Sequence, residues 1–466
     1  MIYLAIIVIY FTIMIAIGIS SRRSTGSTEG FFVAGRRGST LFITGSLVAT
    51  IIGGSAVIGM SGLGFSRGIT GAWWMLAGSI GLLVLGLFFA EKVRAYALYT
   101  LPQLVEKQYG TSVSVVISVL IIIAWLGVIA GQIVAAGQVL SVTGIGDTTL
   151  WMIIFTLIFV TYTLIGGQQA DIRTDILQAV VIFFGIFSCL VIVLAQIGGW
   201  GGLVSVLPAD KLSFPVSSGF TMPDLVSYLF VIGLVYAAGP DIYSRLFCAK
   251  DVKAARNAAL WSAFIIIPFA LSITVIGMSA SILVPDIRPD QVFPTLLREH
   301  LPAPIGGLIL AALISATMSS ADSCIMSAGT IFTVNIVKHI SPKVSEKQML
   351  VIAKSGIVVL GILSLLLALL LKGVISALLF AYTVYSGGVI IPVLFGFYKD
   401  RFKLTSAGAL ASIVGGGTTA MVSKLAGIKY MELGALFISV ILLFAISSIH
   451  HKIGDAKNKN SGTNIY

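Results

Sequence analysis

The chain has 466 residues, of which 57% are hydrophobic and 10% charged, where a typical soluble domain carries about 25% charged residues. With a mean hydropathy of +1.05, too little polar surface remains for a soluble globular enzyme. A formal charge of +11 raises the prospect of nucleic acid, but the basic residues are spread through short connecting segments and no basic patch alternates with aromatics.

Apolar runs of about 20 residues, the length a hydrocarbon layer requires of a helix, alternate with short charged segments. They are expected over 3–20, 40–62, 69–90, 113–139, 149–166, 175–196, 225–247, 259–284, 305–337, 350–371, 374–397, 405–423 and 432–449. The expected class is therefore an all-α polytopic membrane protein with about 13 transmembrane helices. The first segment has no basic leader, and Arg22, Arg23, Arg36 and Arg37 follow it, so it reads as a true span rather than a signal peptide. Placing the N-terminus outside and the C-terminus in the cytoplasm puts 22 of the 29 Lys and Arg residues on the inner side and 7 on the outer. That is the asymmetry of the positive-inside rule, and it fits a multi-pass protein of the cell membrane. The connections 197–224 and 285–304, rich in proline, fall outside. The polar segment 451–466 reads as an unstructured cytoplasmic tail.

Polar, helix-breaking sequence at membrane depth is tolerated only where protein or a wet cavity covers it, and three spans carry it. In the second, Gly53-Gly54 lies between Thr50 and Ser55. Unwinding there frees carbonyls for a hard cation such as sodium, while close helix packing is the other reading. Within the ninth span, the stretch Ala311–Ser323 brings Ser315, Ser319, Ser320 and Ser323 onto one broad face beside Ala316. Asp322, in the same stretch, needs a partner, an ion or water. In the seventh span Pro240 breaks the helix, Tyr236 lies one turn above the break, and Asp241 and Arg245 are spaced to pair. Asp175, at the expected start of the sixth span, reads either as a helix cap or as a carboxylate receiving a cation on its way out. Cys189, Cys248 and Cys324 form no CxxC, and His300, His339, His450 and His451 match no ligand spacing. No nucleophile–base pair stands at depth, so an enzyme is not expected, and no organic cofactor.

Five spans over 40–196 start inside, and five over 225–397 start outside. Each set opens on a broken helix, which is the pattern of inverted-repeat transporters. The expected organisation is an extra N-terminal helix and basic loop (1–39), a first five-helix repeat (40–196), an external loop (197–224), a second inverted repeat (225–397), two accessory helices (398–450) and the tail (451–466).

Several stretches carry a resemblance, in order: Phe31–Arg37, Gly53-Gly54-Ser55-Ala56, Gly166-Gly167 with Thr174-Asp175-Ile176-Leu177-Gln178, Gly239–Arg245 with Ala249-Lys250, Phe293–Leu297, and Met318–Ser323. Together they resemble the sodium:solute symporter family, which includes bacterial sodium/proline and sodium/galactose transporters. The resemblance implies a LeuT-like fold of the amino acid–polyamine–organocation type and sodium-coupled symport by alternating access. Carried over by position, it implies a sodium site of the Ala49, Ile52 and Ala316 carbonyls with the Ser319 and Ser320 hydroxyls. Asp175 is matched to a second sodium or an exit route. Ile51 stands where the proline transporter has an aspartate, so no side-chain charge joins the first site.

Thr50, Ser55, Gln132, Tyr236, Tyr382 and Tyr385 are the substrate candidates, with packing an equal reading for Gln132. The expected solute is a small neutral or zwitterionic compound such as an amino acid, with monocarboxylates or sugars next. The expected partners are that solute, sodium and the bilayer. Proton-coupled symport through Asp175 or Asp322 is the nearest rival; a channel or a non-transporting sensor stands further off.

Overall fold

The computed structural model describes residues 2–22, 25–370 and 374–461. Arg23, Lys372 and the end of the tail, 462–466, lie outside them. All thirteen expected segments contain helix. Among the described residues nine helices are long and apolar enough to cross a membrane. The count differs because some expected spans run together and others are short, broken or less apolar. We label them α1 (Ile2–Ser21), α2 (Thr40–Ile51), α3 (Gly54–Arg67), α4 (Trp73–Val84) and α5 (Thr111–Leu140). Then come α6 (Thr148–Gln196), α7 (Met222–Tyr228), α8 (Pro240–Cys248), α9 (Val252–Leu283) and α10 (Ala303–Ile331). The last four are α11 (Glu346–Leu370), α12 (Val374–Tyr385), α13 (Ser406–Leu425) and α14 (Met431–Ser461). A wider turn at Leu229–Gly233 continues α7 into Leu234–Ala238.

Both predicted breaks are present, and each has a local cause. The chain leaves helical geometry at Ile52 (φ −79°, ψ 52°) and Gly53 (φ −64°, ψ 149°), then restarts at Gly54. Gly239 is extended (φ −68°, ψ 135°), and Pro240 opens α8 at a first-turn position, where its missing N–H costs nothing.

Two expectations are corrected. Helix α6 covers two expected spans, turning at Gly167 (φ 53°, ψ −155°), a conformation that favours glycine. Its second limb therefore begins at Gln168, and Asp175 lies two turns inside a helix rather than capping one. The tail does not unwind at 451: α14 continues to Ser461, with no proline to stop it.

Helix α10 sits at the centre. In the span Ala303–Ile340, 94% of the membrane-length window is buried by protein, against 28% for α1, 33% for α11 and 28% for α14. That enclosure is what permits a serine-rich helix at membrane depth. Helix α10 packs against α6, α5, α1 and the two halves α2 and α3.

Candidate functional site

The α2–α3 break lies against the serines of α10. The Ser319 hydroxyl donates to the Ala49 carbonyl at 2.8 Å and to its own-helix Ala316 carbonyl at 3.2 Å. The Ser320 hydroxyl donates to the Thr50 carbonyl at 2.6 Å. The Thr50 and Ser323 hydroxyls are 2.9 Å apart. No hydrogen bond reaches the Ile52 carbonyl among the described residues. Three of the five predicted sodium-site residues, Ala49, Ala316 and Ser319, are thus joined directly; Ser320 reaches the break through the Thr50 carbonyl, an acceptor that sequence reasoning missed, and Ile52 stands at the break itself. The set is all oxygen, the chemistry a hard cation requires. Gly53 and Gly54 make the approach possible: a Cβ at Gly53 would overlap Ser320 Oγ, and one at Gly54 would overlap Thr317 Cγ2.

Beside this lies a cavity of about 30 Å³ lined by Thr50, Ser55, Gln132, Tyr236, Asp241 and Tyr382 among others. Ligand pockets run to several hundred Å³, so a solute enters only if the lining moves. Five of the six substrate candidates line it. Tyr385 does not: its hydroxyl donates to the Ala238 carbonyl at 2.5 Å, and its ring meets Trp125 edge-on at 4.8 Å. The reason is the break at Gly239, which takes the next-turn amide away from Ala238 and leaves a carbonyl to be capped. Ser55 and Gln132 are bonded to each other, Gln132 Nε2 donating to Ser55 Oγ at 2.7 Å and Ser55 N donating to Gln132 Oε1 at 3.1 Å.

A second polar centre lies between α2, α6, α8 and α10. Arg245 is fully buried and pairs with Asp171 at 2.7 Å and Asp175 at 3.4 Å. The predicted Asp241–Arg245 pair does not form. Of Asp241, Arg245 reaches the backbone carbonyl, at 3.4 Å, and not the carboxylate, because two carboxylates on successive turns of α6 compete for its guanidinium. The Ser46 hydroxyl donates to Asp175, and the Tyr162 hydroxyl donates to Asp322. The Ser323 amide also donates to Asp322, at 2.7 Å. Carboxylate oxygens of Asp171, Asp175 and Asp322 lie within 4.8 Å of one another, and Asp175 Oδ1 has no hydrogen-bond partner among the described residues. Three buried carboxyl groups thus meet in one cluster, two of them paired with Arg245. Asp171, Ser46 and Tyr162 were not singled out from sequence. Asp171 was legible as four residues before Asp175, once both are known to share a helix.

A model of the sodium:solute symporter family matches residues 31–416. A sodium/glucose cotransporter of Vibrio parahaemolyticus is 27% identical, over 93% of this chain and 86% of its own. Sodium/glucose cotransporter 4 of Danio rerio is 26% identical over 81% of this chain. Sodium/myo-inositol cotransporter 2 of Mus musculus is 26% identical over 78%. The match spans 64% of the Danio protein and 60% of the mouse protein. Among solved structures, a Na+-coupled sialic acid symporter in a substrate-bound outward-open state superposes with TM-score 0.83 at 17% identity, covering 96% of this chain and 98% of that one. Mhp1, a nucleobase-cation-symport-1 family transporter in a closed conformation, gives 0.63 at 15% identity, covering 91% and 94%. These likenesses establish the LeuT-like all-helical fold. With the family match extending from before the first break to within α13, the chain belongs to the sodium:solute symporter family.

Proposed function

We propose that this protein is a sodium-coupled symporter that imports a small organic solute by alternating access. The observation that carries the reading is the meeting of Ser319 and Ser320 with the Ala49 and Thr50 carbonyls at the α2 break. Sodium from outside inserts there, with the Ala49, Ile52 and Ala316 carbonyls and the two hydroxyls as its ligands. It holds the broken helix against α10 and so favours the form that binds solute. An inward gradient then supplies about 2.3 kcal/mol per charge for each 100 mV, with the concentration term added. Asp175 serves as a second cation position or exit route, which its unpartnered Oδ1 and the cluster of carboxyl groups support.

The solute position is the adjoining cavity, with Thr50, Ser55, Gln132, Tyr236 and Tyr382 in its wall. A small neutral or zwitterionic solute is favoured, since no Lys or Arg lines that wall among the described residues. We assign 40–196 and 225–397 as the two inverted repeats, with the N-terminus outside and the C-terminus in the cytoplasm; the 22-to-7 distribution of basic residues supports the orientation.

The test is radiolabelled sodium binding to purified, reconstituted protein without solute, against a potassium background. The Ser319→Ala/Ser320→Ala variant should raise the half-saturating sodium concentration at least about tenfold, the effect of losing two ligands to a charged group. Unchanged sodium binding in that variant overturns the site. Solute binding that follows pH and ignores sodium would replace sodium with a proton as the coupled ion.

A further inference from the structure

We propose that Asp241 is the counter-charge for an ammonium group on the transported solute, which makes that solute an amine-bearing compound, either cationic or zwitterionic. The inference rests on the symport reading above and names the class of solute at its cavity.

Asp241 is the one charged side chain among the described residues lining the cavity. It stands in the first turn of α8, directly after the Gly239–Pro240 break. The cation expected to neutralise it is engaged elsewhere, Arg245 being held by Asp171 and Asp175. Among the described residues no ion pair reaches the Asp241 carboxylate. Asp171 is held by Arg245 and Gln168, Asp175 by Arg245 and Ser46, and Asp322 by Tyr162 and the Ser323 amide, whereas the Asp241 carboxylate meets the Asp241 and Ile242 amides at the start of its own helix and no partner from another element among the described residues.

A carboxylate at membrane depth costs on the order of 3 kcal/mol and is retained where something pairs with it. The helix N-terminus at α8 offsets only part of that cost, about 0.3–1 kcal/mol. What remains is a carboxylate open to the cavity beside the ion site. The same wall presents Trp125, Tyr236 and Tyr382, and aromatic faces attract ammonium groups and add to the ion pair. A sugar brings hydroxyl donors but no counter-charge, and a monocarboxylate would be repelled.

The experiment uses the full chain in nanodiscs, with sodium saturating, and reads displacement or binding of three matched pairs. They are choline against its uncharged carbon isostere 3,3-dimethylbutan-1-ol, D-glucosamine against D-glucose, and L-alanine against L-lactate. At least one amine-bearing member should bind about tenfold or more tightly than its counterpart, the scale of a paired buried charge. Asp241→Asn should remove that preference, and Asp241→Glu should retain part of it. Thermal unfolding of the same variants reports whether they are folded.

Equal binding within every pair, or no binding by any amine-bearing probe, overturns the proposal. So does a preference that survives Asp241→Asn. The wild-type pair comparison stands even if a variant fails to fold. Sodium-dependent glucose binding that ignores Asp241 would overturn this inference and leave sodium-coupled symport intact. Amine binding that needs Asp241 but ignores sodium would do the reverse.

Discussion

Gln132 grips Ser55 twice, accepting from its amide at 3.1 Å and donating to its hydroxyl at 2.7 Å. Ser55 is the second residue of α3, so its amide belongs to the first turn of a half-helix that has no preceding turn to bond. Gln132 on α5 supplies the missing acceptor from outside. The two residues thereby fix where the second half of the broken helix begins, on the edge of the cavity. Both readings of Gln132 given by the sequence, packing and solute contact, meet in that position.

Gln132→Leu should therefore lower stability by about 1–3 kcal/mol, since the buried amide and hydroxyl of Ser55 lose their partner. Gln132→Glu retains the acceptor and loses the donor, but places a charge in the membrane. The leucine variant and Ser55→Ala should be strongly non-additive. Thermal unfolding of the four members of this cycle in detergent checks the coupling, and additive losses would remove it.

Tyr385 and Tyr382 are three residues apart and predict opposite phenotypes. Tyr385→Phe takes the donor from the Ala238 carbonyl beside the break and should cost about 1 kcal/mol of stability with little change in solute KM. Tyr382→Phe alters the cavity wall and should change KM with little change in thermal stability. Transport kinetics and unfolding of both variants decide it, and a raised KM from Tyr385→Phe alone would return that residue to the solute site.

The breaks, the serine face and the candidate cavity residues were legible because their signals are local. Gly53-Gly54 and Gly239-Pro240 disrupt helix wherever they stand, and hydroxyls at helical spacing share a face without help from the rest of the chain. The Arg245 centre was not legible, because it depends on where α6 turns. With 167–174 read as a loop, Asp171 counts as a loop residue and Asp175 as a cap. Once the turn is confined to Gly167, both carboxylates sit on consecutive turns facing an arginine some 70 residues further along. Periodicity does not reveal which of two acids, Asp241 or Asp171, a distant guanidinium will choose.

Arg245→Met should be among the most damaging substitutions, by about 3–5 kcal/mol, because it leaves buried carboxylates without their cation. Arg245→Met with Asp171→Asn should be less damaging than Arg245→Met alone, since one of the stranded charges goes with it. Expression and unfolding of the single and double variants check the sign. A double variant worse than the single would mean that Asp171 contributes independently of Arg245.

The connection 197–224 carries a pH-sensitive tie. The Ser218 hydroxyl and amide donate to Asp210 at 2.6 and 2.8 Å. Those bonds, the side-chain one foremost, hold the Asp210 carboxyl below its ordinary range. A carboxyl lower in the folded state stabilises above its unfolded pKa of about 3.9 and loses that contribution as pH falls through the folded value. Hydrogen exchange at the Ser218 amide should accelerate below about pH 4 relative to neighbouring amides, and Asp210→Asn should abolish the acid-dependent part. The neighbouring Lys211 ammonium donates to the Phe65 carbonyl at 2.8 Å, so loosening should spread to the C-terminal end of α3.

Gly54 sets how closely the broken helix meets α10, and the contact rather than backbone freedom is what demands glycine there. Gly54 opens α3 as an ordinary helical residue, yet a Cβ on it would overlap Thr317 Cγ2 and stand 2.9 Å from the Thr317 amide nitrogen. Gly54→Ala must push α3 away from α10, a strain of about 1–3 kcal/mol in a filled core. The same displacement separates the α2–α3 break from Ser319 and Ser320, so sodium affinity should fall along with stability. Thr317→Ser removes the overlapping methyl and should restore part of both in the double variant, although the backbone contact remains. Solute-free sodium binding and unfolding, measured for the two singles and the double, separate the outcomes. Restored stability without restored sodium affinity would show that the ion site does not depend on the spacing of these two helices.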